Sequence, residues 1–357
     1  MIIGITGGTG GLGRRLAEIL LAQGYKIRLL VRNTGNLPFF SDSEIEYAYG
    51  NINDTDSLKV FVDNIDVCFH LAAQVGSACK NKMFLTNVEG TKNLCQAILE
   101  TNPDCRFIYC SSIVVKNLNV YVFNRLFATD YAISKYYAEK VVLQYMNCIK
   151  TTIVYPGYIF GYYDRNFLPA IIKLLRYGLP FFVRGGEKNA PVIFVDDLCD
   201  LLIRSFLSDN AIGKKYVSLE KSDIGIHEFI RIVARELGYA YPSKIYPKWP
   251  LVVFIKAHEC LSKVFKVTKQ KHMHMPNYTP MPEHMHMPNY IPMPEHMPNY
   301  TPIPEHMPKI SIRIINALSS RARFYNNAVT DLNWTQKTTY HDGIQKTLSY
   351  YKETGVI

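Results

Sequence analysis

Residues Ile2-Ile-Gly-Ile-Thr-Gly-Gly-Thr-Gly-Gly-Leu-Gly13 join a short strand pattern to the beginning of an amphipathic helix. Glycines at such a turn permit positive φ angles, let a pyrophosphate approach the backbone and let the helix pack closely on the strand. The N-terminus of the helix adds free N–H groups and the positive end of the helix dipole. The pattern therefore predicts a dinucleotide-binding turn. The residues that we expect to contact the dinucleotide are Gly7, Gly10, Gly11, Leu12 and Gly13.

After this turn, short β-branched runs alternate with longer helical patterns through the first half of the chain. Three helical patterns, Leu12–Gln23, Met83–Glu100 and Tyr131–Met146, are each long enough to cross over a parallel sheet. This order predicts an α/β protein with a Rossmann-type, doubly wound parallel sheet and helices on both faces. The predicted strands are Ile2–Thr6, Ile27–Val31, Val67–Leu71, Phe107–Cys110 and Thr152–Val154.

Beyond Pro156 the pattern is less regular, which predicts a smaller C-terminal lobe that binds the substrate. Pro191-Val-Ile-Phe-Val has the pattern of a buried strand that enters a helix, so we expect part of this region to return to the main sheet. The predicted domains are an NAD(P)-binding domain at residues 1–165, with 190–220 returning to it, and a substrate lobe at 166–189 and 221–357.

A tandem repeat occupies residues 272–308, where the decapeptide His-Met-Pro-Asn-Tyr-(Thr/Ile)-Pro-(Met/Ile)-Pro-Glu occurs three times between His274 and Glu305. Proline at three of every ten positions excludes a helix and predicts an extended insertion. The His and Met side chains allow a metal site as one interpretation, and a looped-out duplication as the other. We favour the duplication, and we predict no metal site in this chain.

The composition excludes an intrinsically disordered chain, because 48% of the 357 residues are hydrophobic and 20% are charged. The net charge is +10, but the segment from Lys244 to Lys271 holds seven Lys and one Glu, so the rest is near neutral. We therefore expect no nucleic-acid partner. Eight scattered Cys without a C-x-x-C pair predict reduced thiols and a cytoplasmic location.

The second strand pattern ends at Leu30-Val-Arg32-Asn33, about 20 residues after the glycine turn. An acidic residue at this place would bind the ribose hydroxyls of NAD. A guanidinium can instead pair with the 2′-phosphate of NADP, so Arg32 favours NADP. The alternative is that Arg32 is a solvated cation at the end of a strand.

Tyr131 and Lys135 lie four residues apart near the start of a predicted helix, so they share one helix face. A phenol becomes a useful base near neutral pH only when a nearby cation stabilises its phenolate, and Lys135 can supply that charge. Upstream, a predicted strand ends in Ser111 and Ser112 at the edge where doubly wound sheets bind ligands. Ser112 is our candidate for binding the reacting oxygen, with Ser111 as the alternative.

The sequence resembles the extended short-chain dehydrogenase/reductase family, which includes nucleotide-sugar epimerases and enzymes similar to 3β-hydroxysteroid dehydrogenase and dihydroflavonol reductase. The resemblance covers most of Met1–Leu219. The matching motifs are Thr6-Gly-Gly-Thr-Gly-Gly-Leu-Gly13, His70-Leu-Ala-Ala73, Asn87-Val-Glu-Gly-Thr91, Tyr109-Cys-Ser-Ser112 and Tyr131–Lys135.

The resemblance implies that Tyr131 is the general acid/base and that Lys135 holds the nicotinamide ribose and lowers the pKa of Tyr131. It also implies that Ser112 polarises the reacting oxygen and that Asn87 supports the helix and a proton-relay water. His70 is expected to be a core or loop histidine. The residues that the resemblance places along the cofactor are Leu71, Ala72 and Ala73 at a strand end, and Asn51 and Ile52 near the adenine.

Two departures from the family pattern restrict the chemistry. Ser112 is followed by Ile113-Val-Val-Lys116, whereas sugar dehydratases place an Asp-Glu pair there, so dehydration is disfavoured. Tyr155 stands where an Arg is common, which puts a substrate phosphate or carboxylate contact in doubt.

We therefore expect an NAD(P)-dependent oxidoreductase that transfers hydride between nicotinamide and a secondary alcohol or ketone, either a nucleotide-sugar or a small molecule of steroid or flavonoid type. The alternatives are a nucleotide-sugar epimerase without net redox change and a non-catalytic NAD(P)-binding scaffold or redox sensor. We expect a homodimer, no secretion signal and no transmembrane helix. The basic apolar segment Trp249–Lys266 is either a peripheral membrane contact or a helix packed on the substrate lobe.

Overall fold

The computed structural model describes residues 1–32, 45–75, 80–120, 129–179, 181–220, 222–255, 312–321 and 328–357. The repeat at 272–308, residues 256–266 of the basic segment and Asn33 lie outside these ranges. No helix in the described part of the chain is long and apolar enough to cross a lipid bilayer.

Within the described residues, a seven-stranded sheet has the order β10-β6-β5-β4-β1-β2-β3, with every neighbouring pair parallel. The strand order reverses between β1 and β4, the position at which sheets of this type bind ligands. This is the predicted Rossmann-type α/β fold. The strands are β1 Ile2–Thr6, β2 Lys26–Val31, β3 Ile45–Tyr49, β4 Val67–His70, β5 Arg106–Cys110, β6 Thr151–Tyr155 and β10 Lys215–Val217.

Helices cross over between these strands. The predicted helix Met83–Glu100 is wrong as one continuous α-helix, because residues Leu85–Glu89 form a π-helical turn between two α-helices. A π-helical turn changes the direction of side chains relative to a regular helix, and such turns occur often at functional sites. The helices of this half are α1 Gly11–Ala22, α2 Thr55–Val62, α3 Lys80–Phe84, α4 Gly90–Thr101, α5 Ile113–Val120 and α6 Asp130–Tyr145.

The strands of the sheet centre are mostly apolar and almost entirely buried because helices cover both of their faces. All residues of β4 and β6 are buried. The sequence pattern missed β3, which pairs with β2 at the sheet edge. Tyr47 and Tyr49 of β3 are partly or largely exposed, so this strand has no continuous buried run to reveal it.

The strand after Pro191 does not join the main sheet. β9 (Val192–Phe194) pairs with β7 (Tyr158–Phe160), and the later strand β10 forms the edge of the main sheet instead. The reason lies at Gly157, where an added Cβ would lie 2.4 Å from the carbonyl oxygen of Pro191. The N–H of Tyr158 donates to the same oxygen at 2.7 Å, so the chain leaving β6 is held against Pro191.

A second buried cluster builds the smaller C-terminal lobe. It packs Phe160 and Phe194 against Phe229, Ile315 and Ile344. The division into domains at the residues proposed above stays a prediction. The elements of this half are α7 Leu168–Arg176, β8 Phe182–Val183, α8 Val195–Leu207, α9 Ile226–Leu237, β11 Ile245–Tyr246, a helix at 248–255, α10 Ile312–Leu318, α11 Ala328–Leu332 and α12 Tyr340–Glu353.

The end of the chain returns to the first core. Trp334 is 1% exposed within that core, and its indole N–H donates to the carbonyl oxygen of Asp197 at 3.0 Å. The carboxylate of Asp197 accepts from the backbone N–H groups of Lys337 and Thr338, each at 3.1 Å. Helix α8 thereby fastens the C-terminal segment beside the main sheet.

Candidate active site

The glycine turn lies between β1 and α1, where the strand order reverses. Gly7 has a φ of 76°, and a Cβ added to it would lie 2.7 Å from the backbone nitrogen of Ala72. A Cβ on Gly13 would lie 2.3 Å from the carbonyl oxygen of Gly7. Neither position can take a side chain unless backbone moves. A turn this tight at a helix N-terminus fits the pyrophosphate of a dinucleotide.

Other residues of the turn support it from within the protein. The N–H of Gly10 donates to the carbonyl oxygen of Gly7 at 3.0 Å. A Cβ on Gly11 would lie 2.6 Å from the carbonyl oxygen of Tyr163, and Leu12 packs against the sheet core. The close packing of α1 on the loop at Tyr163 therefore explains why residue 11 is a glycine. The contact of Gly11 and Leu12 with a cofactor stays a prediction.

The residues predicted at the adenine end meet at neighbouring strand ends. Arg32 is exposed directly after β2. The N–H of Gly50 donates to the carbonyl oxygen of Val31 at 2.9 Å, which brings the segment after β3 beside that strand end. In that segment Asn51 is exposed and Ile52 is buried in the core. Ile52 therefore supplies an apolar floor here, while Arg32 and Asn51 remain accessible.

His70 ends β4 and is fully enclosed by protein. Its Nε2 lies 2.8 Å from the hydroxyl of Thr91, which donates its own proton to the carbonyl oxygen of Asn87 at 2.7 Å. The Thr91 oxygen must therefore accept from Nε2–H, which leaves Nδ1 to accept from the hydroxyl of Thr6 at 2.7 Å. Burial, and next the charge of Lys135, lower the pKa of His70 to about 3. His70 is thus a neutral structural histidine that ties β1 to the first turn of α4.

The segment after His70 runs along the glycine turn. The N–H of Leu71 donates to the carbonyl oxygen of Thr6 at 3.1 Å, and the N–H of Ala72 to its hydroxyl at 3.3 Å. Leu71, Ala72 and Ala73 are all partly exposed. The structure therefore brings Leu71 and Ala72 together with Gly7, and the contact of all three predicted residues with a cofactor stays a prediction.

Asn87 lies in the π-helical turn and is 1% exposed. Its side-chain oxygen accepts from the N–H of Gln74 at 2.7 Å, while its amide group donates to the carbonyl oxygen of Gln74 at 3.1 Å and to the hydroxyl of Ser134 at 2.9 Å. Ser134 in turn donates to the carbonyl oxygen of Tyr131 at 2.8 Å. Asn87 thus joins the segment after β4 to the first turn of α6, where Tyr131 lies.

Tyr131 and Lys135 occupy successive turns of α6, which begins after Thr129 with the Thr129 hydroxyl accepting from the N–H of Ala132. Tyr131 is partly exposed, whereas Lys135 is 3% exposed. The ammonium of Lys135 donates to the carbonyl oxygen of Cys110 at 2.7 Å, and burial lowers the pKa of Lys135 to about 8. A buried ammonium one helical turn from a phenol is the arrangement that stabilises a phenolate.

The two serines after β5 have different surroundings. Ser111 donates to a carboxylate oxygen of Glu139 at 2.6 Å, so its hydroxyl proton is engaged within the protein. Ser112 is 8% exposed, and its hydroxyl has no hydrogen-bond partner among the residues that the structure describes. Ser112 is therefore the better candidate for binding a substrate oxygen.

The ring of Tyr109 lies against Lys135. The Lys135 nitrogen is 4.5 Å from the centroid of its ring, and its hydroxyl is buried without a partner within the described ranges. Burial raises the pKa of Tyr109, so this phenol stays neutral. The ring face of Tyr109 stabilises the Lys135 ammonium through a cation–π contact. Because the Tyr109 phenol stays neutral, it does not replace Tyr131 as the candidate phenolate.

A model of the NAD dependent epimerase/dehydratase family matches residues 3–217, which include the glycine turn, Asn87, the two serines and the Tyr131–Lys135 pair. The chain belongs to this family.

Curated proteins with similar sequences include steroid enzymes. Human "Sterol-4-alpha-carboxylate 3-dehydrogenase, decarboxylating" is 26% identical over 262 residues, covering 69% of each chain. "3 beta-hydroxysteroid dehydrogenase/Delta 5-->4-isomerase" of Mycobacterium tuberculosis is 28% identical over 263 residues, covering 67% of this chain and 70% of the relative.

Solved structures show the same fold. One titled "Crystal structure of gox2253" has a TM-score of 0.71 at 22% identity, covering 99% of this chain and 98% of that one. The dTDP-glucose 4,6-dehydratase DesIV of Streptomyces venezuelae, with NAD and TYD bound, has a TM-score of 0.66 at 17% identity, covering 99% and 97%. The protein is therefore an NAD-dependent epimerase/dehydratase-family oxidoreductase of the extended short-chain dehydrogenase type.

Sequence reasoning missed several residues of the site in this family member. Glu139 binds both Ser111 and the hydroxyl of Tyr155, at 2.6 and 2.7 Å. Its spacing of four residues from Lys135 places it on the face that carries the tyrosine–lysine pair, and that spacing is the available sequence signal. The sequence did not indicate Gln74, because Gln74 bonds to Asn87 only through its backbone N–H and carbonyl groups.

Proposed function

We propose that this oxidoreductase interconverts a hydrophobic secondary alcohol and its ketone, on a substrate of steroid type, with Tyr131 as the acid/base. The observation that carries the proposal is the arrangement of a buried Lys135 ammonium, the adjacent Tyr131 and the unengaged Ser112 hydroxyl around the end of β5. The sterol and hydroxysteroid dehydrogenases among its relatives support the substrate class. Tyr155, in place of the more common Arg, favours an apolar substrate over a nucleotide-sugar.

In the oxidative direction, a bound NAD⁺ supplies the hydride acceptor for the carbinol carbon. The Tyr131 phenolate removes the hydroxyl proton of the substrate as the C–H bond breaks, so the C=O bond forms and the phenol is regenerated. Ser112 donates a hydrogen bond to the reacting oxygen. Lys135 stabilises the phenolate electrostatically, and Asn87 holds the first turn of α6 through Ser134.

We also propose that NADP is preferred over NAD, which the exposed guanidinium position of Arg32 after β2 supports. Arg32→Ala should weaken NADP⁺ binding by about tenfold or more and leave NAD⁺ binding nearly unchanged, since only NADP⁺ carries the 2′-phosphate. Equilibrium titration with each nucleotide measures both affinities. An equal loss for the two nucleotides would leave Arg32 without a role in selection.

The decisive variant for the mechanism is Tyr131→Phe. It should lower kcat for oxidation of a 3β-hydroxysteroid by at least about 10²-fold while NAD(P)⁺ affinity stays the same, because only the proton-transfer group is lost. Retention of full turnover by a variant that binds cofactor normally would refute Tyr131 as the acid/base and indicate another mechanism. Stoichiometric formation of reduced nicotinamide separates net oxidation from epimerisation, which returns the cofactor unchanged.

A peripheral membrane contact is proposed for the surface around the helix at 248–255. Trp249 and Phe254 are each 72% exposed there, with Lys244 and Lys248 exposed nearby. Exposed aromatic side chains next to lysines suit the interface of an anionic bilayer. Flotation of the protein with vesicles containing phosphatidylserine tests this, with Trp249→Ser/Phe254→Ser as the comparison variant. Equal flotation of the two proteins would count against the contact.

A homodimer is proposed as the assembly. Tyr137 on α6 is 50% exposed and Leu99 on α4 is 38% exposed, so these packed helices present apolar side chains to a second copy. Sedimentation velocity distinguishes monomer from dimer.

A further inference from the structure

A shallow cavity of about 230 Å³ lies between α6 and the edge strand β10. Its walls carry two exposed lysines, Lys140 on α6 and Lys215 at the start of β10. The proposed reaction uses neither lysine, so this lysine cavity needs a separate explanation. The residues that line it are Tyr136, Glu139, Lys140, Leu143 and Lys215.

Lys116 on α5 adds a third positive charge beside the lysine cavity. Its nitrogen lies 4.5 Å from the ring centroid of Tyr155, whose hydroxyl donates to Glu139 in the cavity wall at 2.7 Å. Burial lowers the pKa of Lys116, the charge of Glu139 opposes that change, and the charge of Lys215 lowers the pKa further. Lys116 and Lys215 are therefore close enough to repel each other.

The three lysines have no carboxylate partners of their own. No ion pair joins Lys116, Lys140 or Lys215 to an acidic side chain in the part of the chain that the structure describes. Glu139 lines the cavity but is 5% exposed, and its two oxygens accept from hydroxyl groups of the protein at 2.6 and 2.7 Å. Three protonated lysines and one carboxylate leave a charge of +2 at the cavity.

Tyr136 and Leu143 give the lysine cavity an apolar surface as well. They lie seven residues apart on α6, which is about two helical turns, so they share one helix face. The nitrogen of Lys140 lies 5.6 Å from the ring centroid of Tyr136. Ammonium groups beside an aromatic and an aliphatic side chain suit a ligand that joins an anion to an apolar group.

The lysine cavity is distinct from the places expected for the phosphates of the cofactor. Strands β6, β5 and β4 separate β10 from β1, so four strand spacings of about 4.8 Å put β10 about 19 Å from the strand that enters the glycine turn. Arg32, expected at the 2′-phosphate, follows β2, which is one strand further away. An anion in the lysine cavity is therefore not a phosphate of the cofactor.

We propose that the lysine cavity binds a phosphate monoester, with Lys116, Lys140 and Lys215 around the phosphate and Tyr136 and Leu143 against its organic group. A phosphate monoester carries a charge of about −1.5 to −2 at neutral pH and presents three acceptor oxygens, which matches the three ammonium groups. Inorganic phosphate has similar charge but no group for the apolar surface. The proposal goes beyond the proposed reaction and does not depend on it.

The test is a phosphorus NMR titration of the NAD⁺-saturated protein with phenyl phosphate and, separately, with inorganic phosphate. NAD⁺ fills the glycine turn, so binding there does not contribute. Lys140→Gln/Lys215→Gln should raise the Kd for phenyl phosphate about tenfold, because each exposed ammonium that is lost weakens binding about threefold. The control Lys214→Gln/Lys346→Gln removes the same charge from exposed positions outside the cavity and should leave the Kd nearly unchanged.

An unchanged Kd in Lys140→Gln/Lys215→Gln, or an equal rise in the control variant, would overturn the proposal. Loss of phenyl phosphate binding in Arg32→Ala would place the anion at the adenine end of the cofactor site and would overturn it too. Phenyl phosphate should bind more tightly than inorganic phosphate, because Tyr136 and Leu143 contact its ring. Inorganic phosphate that binds at least as tightly would refute a monoester as the ligand.

Discussion

Replacing His70 with Gln should remove the contribution that this residue makes to the loss of folding stability at acidic pH. His70 is neutral in the folded protein, with Thr6 donating to one ring nitrogen and the other donating to Thr91. Gln carries an acceptor and a donor but takes up no proton in the same pH range. The substitution also reduces packing against the rings of Phe107 and Tyr109, so we expect the variant to be less stable at every pH.

The pH dependence follows from the two pKa values of His70. Above pH 6.5 neither the folded nor the unfolded chain protonates it, and the native stability is fully present. As the pH falls below the unfolded value of 6.5, the unfolded chain binds a proton that the folded chain refuses until the pH approaches about 3. Each pH unit in this window costs about 1.36 kcal/mol, so the loss between pH 6.5 and pH 5 is about 2 kcal/mol.

The assay is urea unfolding of the wild-type protein and of His70→Gln at several pH values between about 5 and 7, with the free energy of unfolding extrapolated to water. His227 is also buried, and burial lowers its pKa, but it is present in both proteins and its contribution cancels in the difference. The difference in stability should shrink by about 2 kcal/mol from pH 6.5 to pH 5. Parallel curves over this range would refute the assignment of His70 as a buried neutral residue.

Three further tests address other parts of the structure. Gly13→Ala should abolish measurable NAD⁺ binding in calorimetry because its Cβ would lie 2.3 Å from a backbone oxygen, whereas Gly10→Ala, with a closest contact of 3.2 Å, should retain more affinity. Ser112→Ala should lower kcat by about 10²-fold with little effect on stability, while Ser111→Ala should mainly lower the melting temperature; equal kinetic losses would contradict the assignment of the two serines. Asp197→Ala leaves two backbone N–H groups without their acceptor and should cost about 2 kcal/mol in urea unfolding, and an unchanged midpoint would show that the C-terminal segment is held by other contacts.

The sequence predicts the central sheet well because its strands are short apolar runs separated by helices of regular period. The ends of β1 and β5 also carry the motifs that place Gly7 and Ser112 at one edge of the sheet. Parallel strands bring their carboxyl ends to the same edge, so the strand pattern alone predicts that these two motifs share that edge.

Other features depend on contacts between distant segments, which no local pattern encodes. The choice between Ser111 and Ser112 required knowing that Glu139, 28 residues beyond Ser111, takes the first hydroxyl. The pairing of β9 with β7 depends on Gly157 meeting Pro191, and no periodicity of either strand reveals it. The predicted return of part of 190–220 to the sheet therefore rested on the wrong strand.

The burial of Trp334 in the core around the main sheet has a consequence for how the protein is made. Ala328 and Leu332 lie in the same core, so a ribosome that has released residues 1–220 has not yet provided the side chains that complete it. More than a hundred residues, including the decapeptide repeats, must still be translated before Trp334 can reach Asp197. The core around the main sheet therefore cannot complete its packing until the last part of the chain has emerged from the ribosome.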